Sequence, residues 1–146
     1  MEFIKIAEEI SLETAGLETV EYQMSIFDNI PYEAQAKMLV EAVIAEQDTL
    51  NDASITMDNM VMKYKEQDIG ALYSLLGNDK SGLEEFEDVL LIQRNKNWIP
   101  IMIEQMLDKP TFFAVGAGHL SGPSGVLTLL KDEGYKLTPI SIQKSE

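Results

Sequence analysis

The amino-acid sequence predicts an α+β fold, mostly helical, with a small sheet of two to three strands. Three observations lead there. Apolar residues recur at three- and four-residue steps through most of the chain, the spacing of one helix face. Three short runs, over 14–22, 111–115 and 135–140, are instead rich in β-branched and aromatic residues. At 146 residues the chain suits one domain, 1–146, and is too short for two ordinary ones.

Phe3, Ile6, Ala7 and Ile10 share a helix face and predict a helix within 1–13. Leu17, Thr19, Val20 and Tyr22 favour a strand, with Gly16 permitting a close backbone approach. Asn29-Ile30-Pro31 opens the next helix, with proline in the first turn, and the helix runs to about residue 50 through Ala36, Leu39, Val40 and Val43. Another follows Ser54, with Met57, Met60, Val61 and Tyr64 inward. Asp68 caps a short helix through Leu76.

Ser81 with Glu84 matches a capping box and starts a helix ending near Gln93. Asn97 caps the next helix, so that Pro100 falls in its first turn, while Trp98, Met102 and Met106 share one face. Thr111-Phe112-Phe113-Ala114-Val115 reads as a buried strand. Residues 123–133 read as helix, closed by Gly134. The run from Tyr135 to Ile140 reads as an edge strand, because Pro139 cannot donate to a ladder. Three short strands do not make an independent sheet without helix cover or strands from elsewhere.

Composition removes several functions. Twenty-five acidic residues against 11 basic ones leave a net charge of −14, which repels phosphate and argues against nucleic acid as a partner. Such a balance attracts cations or basic peptides, and it equally describes solvated helix faces. With no cysteine there is no disulfide, thiolate metal site or cysteine nucleophile. Charges interrupt the apolar residues at the N-terminus, so no signal peptide is expected in this chain. No segment approaches the ~20 apolar residues of a membrane span. Either the protein is cytoplasmic or the chain lacks its original beginning.

Three segments contain residues suited to chemistry. In Gly116-Ala117-Gly118-His119-Leu120-Ser121-Gly122 the one histidine of the chain follows a strand-type run. Glycines let backbone approach a ligand, and an imidazole on such a base can bind metal or transfer a proton. A structural role for a lone histidine is the simpler alternative. In Gln93-Arg94-Asn95 the arginine meets a helix C-terminus and asparagine suits the break, or else Arg94 clamps a carboxylate or a developing oxyanion. In Gly16-Leu17-Glu18-Thr19-Val20-Glu21, Glu18 and Thr19 would point to opposite faces of a strand, and Glu18 and Glu21 are either ligands or bases or merely exposed acids.

Taken together and in order, these segments resemble the TraB/GumN family, which includes the Tiki proteases. Gly116-Ala117-Gly118-His119-Leu120 with Gly122, Gly125 and Gly134-Tyr135 resembles its C-terminal signature. Arg94-Asn95 with Trp98 resembles its central Arg-Asn motif. Gly16-Leu17-Glu18-Thr19 with Gln23 resembles its Leu-Glu-Thr segment, and Tyr64 with Asp68 fits the helical region between. The family pattern has two Gly-x-x-His elements, of which Gly116–His119 matches the second. The first belongs to a strand preceding the Leu-Glu-Thr segment. Gln93 departs from the acidic residue that commonly precedes Arg-Asn.

The resemblance implies that the chain is the C-terminal portion of a larger α/β family fold. It implies a metal-dependent, peptidase-like hydrolase whose site is incomplete here, acting on a peptide or small-molecule substrate. His119 and Glu18 would be metal ligands or bases, Arg94 and Asn95 would orient substrate or stabilise negative charge, and Gly116, Gly118 and Gly122 would shape the loop. The metal would be divalent manganese, cobalt or zinc, activating water, and held weakly by this chain alone because one imidazole with scattered carboxylates makes a poor site. The parent protein is expected to be exported or periplasmic. A homodimer is expected through unpaired strand edges flanking Leu17 and Phe113. Two alternatives stand beside this reading: a ligand- or haem-binding module lined by Met57, Met60, Met62, Met102 and Met106, and a structural half-domain.

Overall fold

Capping chemistry sets a few of the helix boundaries, at Thr19, Asp68 and Gly134. The computed structural model describes residues 2–47, 52–76 and 86–140. Helix α1 spans Glu2–Glu9, and α2 spans Val20–Ser25, followed by a 3-10 turn over Ile26–Asn29. Helix α3 covers Tyr32–Gln47, immediately after Pro31. Helix α4 covers Asp52–Glu66 and α5 Ile69–Leu76. The expected cap at Asp68 is present: its carboxylate accepts from the Ala71 amide at 2.9 Å. The capping box expected at Ser81 and Glu84 lies outside the described residues.

A single π-helical turn, Asp88–Ile92, leads without interruption into α6, Gln93–Asp108. The break expected between Gln93 and Asn97 does not occur: Arg94, Asn95 and Asn97 lie in the first turns of a continuous helix. The π-turn supplies the irregularity that the sequence suggested, without ending the helix. Pro100 therefore sits inside α6. Helix α7, Val126–Asp132, ends in a Schellman arrangement in which the Tyr135 amide donates to Leu130 O and the Gly134 amide to Lys131 O. Gly134 has φ +90°, the left-handed conformation that such a cap requires.

No strand occurs among the described residues, which corrects the expected α+β class to all-α. Residues 14–22 form a bend and the start of α2, because the Thr19 hydroxyl caps that helix by accepting from the Tyr22 amide at 3.1 Å. Cap chemistry outweighs the β preference of Val20 and Tyr22 there. Residues 111–115 keep a period of two: Phe113 and Val115 pack against the core while Phe112 points to solvent. Extended backbone becomes a strand only when a neighbour completes the hydrogen bonds, and none of the described residues does so. The same holds for 135–140. The strand edges expected to drive dimerisation at Leu17 and Phe113 are accordingly absent from the described residues, and both side chains pack on the core.

That core lies between α6 and α7. Trp98, Ile99 and Met102 from α6 meet Val126 and Leu130 from α7, and Leu17, Ile103, Met106, Phe113, Leu129 and Tyr135 close around them. Met102 is the most buried, at 1% exposure. Met102 and Met106 thus fill the core and do not line an open pocket, while the side chain of Met57 lies outside the described residues. Helix α5 packs on the short 3-10 turn Ala117–His119.

Candidate functional site

The continuous helix α6 places Arg94, Asn95 and Trp98 on neighbouring turns. The 3-10 turn Ala117–His119 and the bend before α2 bring His119 and Glu18 to the same place. Glu18, Arg94, Asn95 and His119 converge as the sequence anticipated, although 76 residues separate Glu18 from Arg94.

Glu18 and Arg94 form a two-armed pair. Arg94 Nη2 donates to Glu18 Oε1 at 2.6 Å and Arg94 Nε to Oε2 at 3.1 Å, while Nη1 reaches Leu90 O at 3.0 Å. Trp98 Nε1 donates to the same Oε2 at 3.1 Å. Burial pushes the Glu18 carboxyl pKa up, but the hydrogen bonds from Arg94 and Trp98 and the guanidinium charge outweigh it, holding the carboxyl below its ordinary range. The guanidinium also lies 5.1 Å from the centre of the Trp98 ring.

His119 and Asn95 form the second pair, both buried. Asn95 Oδ1 and His119 Nδ1 are 2.7 Å apart. The amide nitrogen of Asn95 donates to Ser124 O at 2.8 Å and, more distantly, to His119 O at 3.4 Å. Those two carbonyls fix which end of the amide is oxygen, so Oδ1 is the acceptor and Nδ1 carries the proton of the neutral ring. Burial, and then the Arg94 charge, pull the His119 pKa down to about 4, against a smaller opposing effect of Glu18. The ring is therefore neutral near pH 7, with its Nε2 lone pair unpartnered among the described residues. It packs on Trp98 with the ring centres 4.5 Å apart.

Gly116 opens the turn that presents His119, whose amide donates back to Gly116 O. Gly122 has φ +91°, and a Cβ there would stand 2.4 Å from the Tyr73 ring, so the close approach of α5 requires glycine. Gly118 lines a cleft beside Asn95. The sequence did not reveal how central Trp98 is. It joins Glu18, Arg94 and His119, and its four-residue spacing from Arg94 on a helix was the available signal. The Ser124 carbonyl had no signal at all, since any residue offers one.

The donor set does not fit a divalent cation held by Glu18 and His119. Both Glu18 oxygens already accept protons from Arg94 and Trp98, and a cation there would face the guanidinium. Among the described residues no group of three or more histidines, aspartates or glutamates could hold a metal. Nor is any described helix long and apolar enough to cross a membrane.

Comparison with known proteins adds a lineage to this geometry. The chain is 23% identical over 158 residues to a protein of Danio rerio described as Metalloprotease TIKI1, covering 90% of this chain and 31% of that protein. It is 24% identical to the Homo sapiens protein of the same description, with the same coverage. The chain thus spans about a third of the length of these relatives. No solved structure matches it. The profile of the TraB/PrgY/gumN family matches residues 1–139, and the chain belongs to that family.

Proposed function

We propose that this chain supplies the histidine side of a peptidase-like hydrolase site, with His119 as its reactive imidazole. The observation that carries the proposal is the 2.7 Å bond between Asn95 Oδ1 and His119 Nδ1. It selects one tautomer and leaves Nε2 as a base or a ligand for an incoming group. The family and the two metalloprotease relatives support the class of reaction.

In this reading Asn95 orients His119, and burial keeps the ring unprotonated and ready to accept a proton at Nε2. Trp98 excludes water from one ring face. Arg94 and Glu18 neutralise each other and clasp the segment before α2 onto α6. Arg94 is thereby a positioning residue, its fork already filled by Glu18. A divalent metal, where the relatives' name implies one, would find a single free imidazole here, so this chain alone is expected to bind it weakly.

The test is a peptide-hydrolysis assay of the full-length protein with Mn²⁺, Co²⁺ or Zn²⁺ added. Turnover that needs metal, is lost in His119→Ala and falls about 10–100-fold in Asn95→Ala supports the proposal. Turnover indifferent to His119→Ala would sink it.

A further inference from the structure

A cleft of about 200 Å³ opens beside the His119–Asn95 pair, between α5, the π-turn and the glycine-rich loop. Its polar walls are Glu87, Tyr73, Ser121 and Ser124, and its apolar walls include Leu91 and Ile92. Asn95 also lines it, but both ends of that amide are already committed, to His119 and to the Ser124 carbonyl. Glu87 is half-buried and pairs with no cation or donor among the described residues, and the Tyr73, Ser121 and Ser124 hydroxyls are equally uncommitted.

We propose that this cleft binds one ammonium or guanidinium group on an aliphatic stem, presented by a basic side chain of a peptide. Of the described lining residues, Glu87 bears the one carboxylate, and none bears a positive charge. A carboxylate only accepts hydrogen bonds, and hydroxyls can accept as well as donate. Such a set matches a cation with several N–H donors and mismatches an anion, which Glu87 would repel. Leu91 and Ile92 offer the methylene stem an apolar wall, as long cationic side chains commonly require. The volume accommodates one side chain rather than a folded partner. The net charge of −14 draws cationic peptides from a distance and raises their encounter rate. Because Asn95 belongs both to the cleft and to the histidine pair, a basic side chain held here lies next to His119. Binding itself needs neither metal nor hydrolysis, so it stands independently of the reaction proposed above.

The experiment is a titration of the ¹⁵N-labelled chain, without metal, with capped pentapeptides carrying lysine, arginine, norleucine or glutamate at the centre, and with free agmatine. Saturable shifts at the Gly118, Ser121, Ser124 and Gly125 amides are expected for lysine and arginine peptides, with the norleucine peptide about tenfold weaker. Glu87→Gln should weaken the lysine peptide by a similar factor while leaving the norleucine peptide unchanged. The exposed Glu104→Gln, away from the cleft, should leave both unchanged and so exposes any general charge effect. An arginine peptide tighter than agmatine supports the peptide as the source. Equal affinities support the cation site and assign it to small free amines instead. Norleucine binding as well as lysine, or shifts scattered over acidic helix faces, overturns the proposal.

Discussion

The two halves of this molecule use apolar residues in opposite ways. From α6 to Tyr135 the apolar side chains converge on Trp98, Ile99 and Met102 and leave water. In α1 and α3 they face it: Phe3, Ile6, Leu39, Val40, Val43 and Ile44 are all exposed, and no residue of α1 is buried. Burial of apolar surface is the main drive for folding, so the C-terminal half holds most of the core while the N-terminal helices carry surface still without cover. Two ion pairs repeat the contrast. Glu18–Arg94 is largely shielded from solvent, whereas Glu13–Lys109, joining the same two stretches of chain, is open to it.

The most severe test of this contrast is truncation in each half. Met102→Ala should cost about 2–5 kcal/mol through the cavity it leaves, whereas Leu39→Ala should stay within about 0.5 kcal/mol. Chemical denaturation of both variants measures the difference, and similar losses would mean that α3 is covered in solution. In that case a second copy of this chain is our proposal for the cover, replacing the strand-edge pairing first expected. Light scattering at low micromolar concentration would then show a species heavier than the 16.4 kDa chain, and Leu39→Lys combined with Val43→Lys would return it to monomer.

Acidification should strike the C-terminal half. The folded chain favours neutral His119, whose pKa is about 4, against about 6.5 when unfolded. Between those values the unfolded chain holds more protons, so stability is complete above about pH 6.5 and declines as pH falls toward 4, by about 3 kcal/mol. Glu18, depressed in the fold, adds a loss at still lower pH. Denaturation midpoints across this range should decline in the native chain and flatten in His119→Gln.

The ion pairs should separate next. Glu18→Ala leaves Arg94 and the Trp98 indole without their acceptor and should cost about 2–3 kcal/mol, toward the lower end for a shielded pair because some solvent still reaches Arg94. Glu13→Ala should produce no measurable change. Helix ends give effects smaller than the loss of Glu18. Ser11 and Gln67 hold positive φ, as Gly134 does. Ser11→Gly or Gln67→Gly should therefore gain about 0.5–1 kcal/mol, and Gly134→Ala should lose about 1 kcal/mol, read as shifts in thermal midpoint.

Local chemistry along the chain was enough to place Asp68 as a cap, Gly134 as a helix stop, Pro31 at a helix start and Trp98 with Met102 on one buried face. Each depends on a few adjacent residues, whose hydrogen bonds and spacing act over one or two turns. The ordered motifs likewise marked Glu18, Arg94, Asn95 and His119 before their meeting was visible. Only the tertiary structure decided whether an extended run becomes a strand. That requires a neighbour supplying hydrogen bonds, and the apolar alternation of 111–115 is the same with or without one. Only the tertiary structure, too, gave Glu18 to Arg94 and Asn95 to His119. Arginine and imidazole both suit a carboxylate, and the choice between them rests on the π-turn leading unbroken into α6, which places Arg94 and Asn95 side by side in one helix.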